Sequence, residues 1–385
     1  MPGFGSHDDL ISELTAQGKF RSIEMAKTTA PVHTAGGWHM LSGLAGYPNA
    51  TTFPGTDLVW SNCDENTGDG TTILGPPHGG AVSTDTKHIL AVGASITAAA
   101  GAPWQAKLVD LLGYYRLSTT NVTGTGSRAL VNAQTFTASN SSGLLCTYAS
   151  DFKSGTKVRF TTTTTLPTGL ALDTDYWLIR VGATTARVAA SYADYVAGTA
   201  IAYTDAGTGT HTMTARTARY NDGIGAQAAF VVQTQPTAGG PTLSASSYTN
   251  SAGTAGRAFQ GSVTMGATAD GYATRILHSG NAAGRYGPFL PLQGADTGIR
   301  SIESFTWSAG TAYTGSGVVA LTVYKPLGVD LILPATGVWS EKDLVNQVPS
   351  LPRIEDGACL AWLLFGVGAT TTASPFLSRV DVGWG

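Results

Sequence analysis

An all-β fold is predicted by three features of this 385-residue chain. Charged residues make up 12% of it, about half the usual share of roughly 25%. Gly, Thr, Ala and Ser fill the gap, a mixture that suits short strands joined by tight turns and offers little for long surface helices. Short runs of β-branched and aromatic residues also recur along the chain, separated by Gly, Pro, Asn and Asp. The hydrophobic fraction of 42% is enough to fill packed cores, and the length suits two domains of roughly 100–200 residues each.

The first element is the exception. In "SHDDLISELTAQG" (6–18) Ser6 can cap a helix, Asp8 and Asp9 fall in the first turn, Leu10, Ile11 and Leu14 share a face, and Gly18 ends it. One short helix is not stable alone, so it must dock. From residue 20 to about 85 the chain reads as irregular loops and short strands, with Trp38, Tyr47, Phe53 and Trp60 as packing anchors. "KHILAVGASIT" reads as a buried strand. "PWQAKLVDLLGYYRL" has mixed apolar spacing that fits a strand or a helical turn.

The stretch 134–215 differs in kind. "SGLLCTYA", "TKVRFTTTTT", "TDYWLIRVGA", "TARVAASYADYVA" and "GTHTMTA" are short β-type runs at the spacing of a small sandwich. The five consecutive threonines of "KVRFTTTTT" continue a strand begun by Val158 and Phe160, because Thr holds an extended backbone. They read as sheet edge, not as a flexible stalk. After residue 216 the earlier composition returns, in "RYNDGIGAQAAFVVQT", "TLSASSYTN", "RAFQGSVTMGA", "ATRILHSG", "IRSIESFTW", "GVVALTVYKPL", "ACLAWLLFGV" and "FLSRVDVGWG", each expected to be a strand. Residues 1–133 and 216–385 therefore read as one discontinuous main domain, β-sandwich or jelly-roll-like, with a module inserted in an exposed loop.

Chemistry-bearing patterns are sparse. "VGASIT" (92–97) resembles the nucleophile block "GDSIT" of SGNH esterases and would make Ser95 the nucleophile. Ala94 stands in place of the acid, and the chain end "RVDVGWG" has Asp381 with no His after it. A serine without a base is a weak nucleophile, so no enzyme activity and no catalytic residue are expected. "NCDENTGDG" offers Asp64, Glu65, Asn66 and Asp69, but the twelfth position from Asp64 is Gly75 where an EF-hand needs Glu, so a polar turn is the reading. His33, His39, His78, His88, His211 and His278 show no HxH or HxxxH spacing, and no metal or cofactor is assigned. Glu303 with Glu355 or Asp356 would serve glycoside cleavage only if the fold joined them. Cys63, Cys146 and Cys359 are odd in number and far apart, which fits buried free thiols rather than a disulfide framework.

The net charge of −3, with Lys and Arg scattered, argues against nucleic acid as a partner. The longest apolar run, "ACLAWLLFGVGA", is too short to span a bilayer, and the polar N-terminus has no secretory core, so no membrane partner is expected.

The segment 155–214, with "GTKVRFTTTTTLPTGLALDTDYWLIRV" and "DAGTGTHTMT", resembles the Ig-like β modules of tailed-bacteriophage structural proteins. The flanks, among them "TAPVHTAGGWHMLSGLAGYPNATTFPGT", "HGGAVSTDTKHIL", "YGPFLPLQGADTGIRSIES", "KDLVNQVPSLPRIEDGACLAWLLF" and "VDVGWG", resemble virion-associated phage proteins. The resemblance implies a small Ig-like β-sandwich as the insert. It also implies a particle protein assembled in the bacterial cytoplasm and carried in the virion. A head decoration or minor capsid role is expected, with the major capsid protein or other virion proteins as partners, and self-association into a homo-oligomer. The alternatives are a tail, collar or baseplate component, or a host-glycan or receptor-binding module using Tyr192, Tyr195 and Tyr203. In such a protein the N-x-S/T triplets at Asn49, Asn121 and Asn140 carry no meaning.

Overall fold

A computed structural model describes residues 4–28, 36–44, 46–48, 53–65, 75–82, 84–97, 103–118, 126–139, 145–217, 219–234, 242–261, 263–264, 274–277, 287–308, 317–347, 350–368 and 375–385. The chain is all-β, with three sheets, a closed barrel and a few short helices.

The centre of the body is a seven-stranded sheet. Its strands run Val318–Leu333, Gln227–Thr234, Arg275–Leu277, Gly37–Met40, Leu360–Gly366, Trp104–Ser118 and Trp60–Asn62. Trp104–Ser118 also pairs with Val318–Leu333 along its whole length, so six of these strands close into a ring. Closure removes the unpaired edges that an open sandwich must otherwise protect. The expected sandwich is thus a closed ring with a sheet on either flank. Trp38, Met40, Val109, Leu111, Tyr114, Val231, Ile276, Tyr324 and Leu363 form one apolar cluster of this ring.

Two further clusters pack the ring against its flanks. Trp104, Ala106, Leu108, Val329, Leu331, Trp362 and Leu364 meet Ile23, Met25, Val92, Ile96, Val380 and Val382 of a six-stranded sheet. That sheet lies in the order Ser340–Asp343, Lys87–Ile96, Phe376–Trp384, Phe20–Lys27, Gly46–Tyr47, with Arg353–Ile354 also on Lys87–Ile96. Leu112, Tyr115, Phe230 and Leu321 instead meet Tyr248, Ile302, Phe305 and Trp307 of a five-stranded sheet. Leu108 and Leu112 of one strand therefore belong to different cores, with Asp110 between them.

The helix is His7–Thr15, with Ser6 accepting from the Asp9 amide, and it docks through Leu10 on Phe4 and Leu90. The ambiguous "PWQAKLVDLLGYYRL" is strand. Tyr47 is 49% exposed and anchors nothing, whereas Trp38, Phe53 and Trp60 are buried.

Strands Ala133–Ser139, Leu145–Tyr148, Lys157–Thr162, Asp175–Gly182, Thr185–Ala189 and His211–Ala215 pair among themselves and close into a second barrel. The small sandwich expected here is a six-stranded barrel. Its interior holds Phe136, Cys146, Val158, Phe160, Tyr176, Leu178, Val188, Tyr203 and Met213, in a cluster continuous with the body. The threonine run is built in: the Thr163 amide bonds to Thr210 O, and Thr165 pairs with Thr208. "SYADYVA" is not strand but the helix Tyr192–Ala197, capped by Ser191 on the Asp194 amide and ended by Gly198 at φ 70°. The capping pattern and the terminal glycine outweigh its β-type composition.

Entry and exit of the barrel lie side by side. The Ala215 amide donates to Asn132 O at 2.6 Å, the Val131 amide to Leu58 O at 2.7 Å, and the Thr217 amide to Arg300 O at 3.3 Å. A single hydrogen-bonded neck joins barrel to body.

Candidate functional site at the junction of barrel and body

A cavity of about 250 Å³ opens beside this neck. The barrel side supplies Gly155, Lys157, Trp177 and Tyr192, and the body supplies Asn62, Asp64, Arg219, Tyr220, Asn221, Glu355 and Asp356. Two glycines permit the close approach. A Cβ on Gly155 would lie 2.3 Å from Asp64 Oδ2, and one on Gly357 would lie 2.5 Å from the Tyr192 ring.

Beneath the cavity sits a buried ion pair. Arg219 donates to both Asp110 carboxylate oxygens, at 2.7 and 2.8 Å, and to the carbonyls of Cys63 and Leu111. Asp110 also accepts the Cys359 amide at 2.8 Å. Burial alone would lower the Arg219 pKa, but the charge of Asp110 and its hydrogen bonds outweigh this and raise it. The pair fills the seam between the two cores, where an unpaired Asp110 would be costly.

The backbone after Arg219 is unusual. Tyr220, Asn221, Asp222 and Gly223 have φ of 60°, 40°, 61° and 78°, a left-handed turn. Each non-glycine residue there costs about 1–2 kcal/mol. Such strain persists only where surroundings impose it. Here Asp222 accepts from Arg216 at 2.7 Å and Arg300 at 3.1 Å, with Arg159 of the barrel at 3.7 Å. Gly223 packs so tightly on Ile299 O that a Cβ would stand 1.8 Å from it. One carboxylate thus ties barrel, neck and body together. "RYNDGIG", expected to open a strand, is this turn; the strand begins at Gln227. The Asn-Asp-Gly run was the legible signal, since those residues tolerate the left-handed region best.

A second charged group lies alongside. His78 Nε2 bonds to Ala358 O at 2.9 Å and Nδ1 faces Lys87 Nζ at 3.2 Å, so the ring is neutral with its proton on Nε2. Burial, reinforced by Lys87, pushes its pKa down to about 3. Lys87 also pairs with Asp356 at 3.0 Å, and the His78 amide donates to Glu65 at 2.7 Å.

The sequence candidates scatter. Ser95 is buried in Lys87–Ile96 opposite Leu377, and among the described residues no hydrogen bond joins it to a histidine. Glu303 is on the five-stranded sheet, held by Thr249 and Ser301, with its pKa raised by burial against those bonds; it does not meet Glu355 or Asp356, which share the cavity with Asp64. Asp64 and Glu65 are in the described residues; Asn66 and Asp69 lie outside them, as do His33, His278, Asn49, Asn121 and Asn140. His39, His88 and His211 are buried at separate places, His211 bonded to Thr162 and to Ala206 O. Among the described residues no group of three or more His, Cys, Asp or Glu is placed to hold a metal, and no helix is long and apolar enough to cross a membrane. The three cysteines are free and buried. Tyr203 lies inside the barrel, Tyr195 is buried against the Tyr192 ring, and Tyr192 faces the cavity, so these tyrosines do not form a surface platform.

No protein-family model and no curated protein matches the chain. Among solved structures it is similar to the VP2 subviral particle of infectious bursal disease virus, at 9% identity over 97% of this chain and 85% of that one, with a TM-score of 0.18. The D431N mutant VP2 of the same virus, in T=1 particles, gives 11% identity over 97% and 82%, with a TM-score of 0.18. The Gx strain structure gives 11% over 94% and 80%, at 0.17. Scores this low carry no argument about fold or function.

Proposed function

We propose that this chain is a non-catalytic structural protein of a tailed-bacteriophage particle, seated on the head as a decoration or minor capsid component with its barrel held outward. The observation that carries the reading is the mounting of the barrel. All six barrel strands pair only with each other, and both chain crossings pass through one neck clamped by Asp222. That geometry holds a module rigidly at one end of a body whose own sheets are free to meet neighbours. The motifs of residues 155–214, which resemble phage structural modules, supply the identity of the particle.

The body carries a surface suited to a protein partner. Trp339 lies over Gly93 on the six-stranded sheet, 43% exposed, Leu377 of the adjoining strand is 41% exposed, and Arg379 and Glu341 pair across Gly93. An apolar spot rimmed by charge is the composition of an interface centre and its rim. The partners proposed are the major capsid protein, other virion proteins and further copies of this chain.

The test is to add purified chain to emptied phage heads that lack it and to image the result by electron cryomicroscopy. Regular density on the shell, with the barrel distal, is the expected outcome. Density confined to tail, collar or baseplate would replace the head assignment, and no association with any particle component would end the reading. Trp339→Asp should weaken binding at least tenfold, since a buried aromatic anchor is worth about 2 kcal/mol or more.

A further inference from the structure

Cys63 and Cys359, from opposite halves of the chain, meet on one strand edge. Trp104–Ser118 gives one of its edges to Val318–Leu333 along its whole length. Its other edge is shared: Trp60–Asn62 covers Tyr115 to Gly113, and Leu360–Gly366 covers Asp110 to Trp104. Both run antiparallel to it, so the end of Trp60–Asn62 points at the start of Leu360–Gly366. Cys63 follows Asn62, and its amide donates to Leu112 O at 3.1 Å. Cys359 precedes Leu360, and its carbonyl accepts the Leu111 amide at 2.9 Å. The two cysteines thus take successive places in the gap between two collinear strands. Both are buried in one apolar cluster with Met40, Leu111 and Leu363, and the Cys63 thiol hydrogen-bonds to Cys359. Cys146 is elsewhere, inside the barrel against the Tyr203 hydroxyl at 3.7 Å.

We propose that Cys63 and Cys359 are a latent disulfide site, which a small peroxide closes in the folded chain. Places one or two steps apart on a strand edge are about 3.3–6.6 Å apart. A disulfide joins Cα atoms about 4.4–6.8 Å apart, so closure needs little movement. One thiol takes an oxygen from hydrogen peroxide, giving a sulfenic acid and one water. The second sulfur then displaces that hydroxyl, which leaves with the second thiol's proton as another water. Two sulfurs are oxidised and both peroxide oxygens are reduced. Burial, with Cys359 alongside, raises the Cys63 pKa, so the step waits for local opening of the three-residue strand Trp60–Asn62. The bond would tie an early segment of the body to a late one, and a link across a long loop constrains the unfolded chain most. In a particle released from a reducing cytoplasm, closure would follow release. That timing rests on the proposed function; the chemistry does not, and either can fail alone.

The test is graded hydrogen peroxide treatment of the full chain, then alkylation in denaturant and peptide mapping by mass spectrometry without reductant. Cys63 and Cys359 are expected to leave the alkylated pool together and to appear as one linked peptide pair, lighter by two hydrogens, while Cys146 stays alkylated. The linked chain should melt about 4 °C or more above the reduced one, and dithiothreitol should reverse the gain. Cys63→Ala and Cys359→Ala should each leave the remaining partner alkylated. Neither should gain melting temperature over its own untreated sample, a comparison that separates the bond from any packing loss. Survival of all three thiols at peroxide levels that oxidise the chain in urea would overturn the proposal. So would sulfinic acid without a cross-link, a bridge that includes Cys146, or a linked chain that melts no higher than the reduced one.

Discussion

The barrel and the body are both closed by strands distant in sequence, but the barrel closes within a much shorter stretch of chain. In the barrel, pairs such as Lys157–Thr162 with Asp175–Gly182 and Asp175–Gly182 with Thr185–Ala189 join neighbours in sequence. In the body, Phe20–Lys27 pairs with Phe376–Trp384, and Trp104–Ser118 with Val318–Leu333. The barrel needs only its own stretch of chain, whereas the body cannot close until its two ends meet. Non-local pairing carries a loop-closure cost before it is rewarded. The barrel is therefore expected to form early and to survive damage that opens the body.

The harshest way to break that comparison is at the chain end. Phe376–Trp384 lies between two partner strands, with Val380 and Val382 fully buried and the Trp384 ring packed over Gly79. Removing residues 381–385 deletes the fully buried Val382, worth about 1.5–3 kcal/mol, together with the partly buried Trp384. The body should lose its cooperative thermal transition near the parent temperature while the barrel's circular-dichroism transition remains. A single unchanged melting temperature would show the strand to be a loose tail.

Arg219→Met strikes the seam instead. It leaves Asp110 charged and buried between the two cores, which costs about 3–5 kcal/mol. Denaturant unfolding should show the loss in the body, and the double variant with Asp110→Leu should recover most of it. A loss below about 1 kcal/mol, the range of an exposed pair, would contradict the burial argument.

Removing the barrel is milder. With Ala133 joined to Arg216 by a short Gly/Ser linker, the neck ends are already neighbours, so the body should stay soluble with one transition. The melting point should fall, because the barrel shares a core cluster with the body. Aggregation of every such variant would count against a self-contained insert.

The most gradual effect is set by pH. The folded pKa of His78, about 3, lies below its ordinary value near 6.5, so between those limits the unfolded chain binds the extra proton. Stability is full above pH 6.5 and should fall as pH drops toward 3, by about 1 kcal/mol per pH unit. His78→Gln should flatten that slope in urea titrations at pH 4 to 7. A slope that survives the substitution would assign it to other groups.

The difference between the regions also explains what could be read in advance. The barrel's strands were legible because each hairpin carries its own Gly and Asp punctuation. So was the terminal strand, from the alternation of Val380, Val382 and Trp384. The closure of either sheet was not legible, since it depends on which distant strand supplies the last partner. The cavity was harder still. Asn62, Gly155, Tyr192, Arg219 and Glu355 come from five separate stretches, and no local pattern links them. Arg219 carries no motif, because its meaning lies in Asp110, more than a hundred residues away in sequence. In this site the left-handed turn alone has a local signal, Asn-Asp-Gly, and the β-type run that follows makes "RYNDGIG" look like the start of a strand.

Native-state hydrogen exchange on the full chain tests the central claim most directly. Two blocks of amides are expected: one from Ala133–Ser139 through His211–Ala215, and one that couples Phe20–Lys27 to Phe376–Trp384 and Trp104–Ser118 to Val318–Leu333. The two should open with different free energies and different denaturant dependence. One opening free energy shared by both blocks, with one dependence on denaturant, would contradict the account of a self-contained barrel mounted on a body closed by its ends.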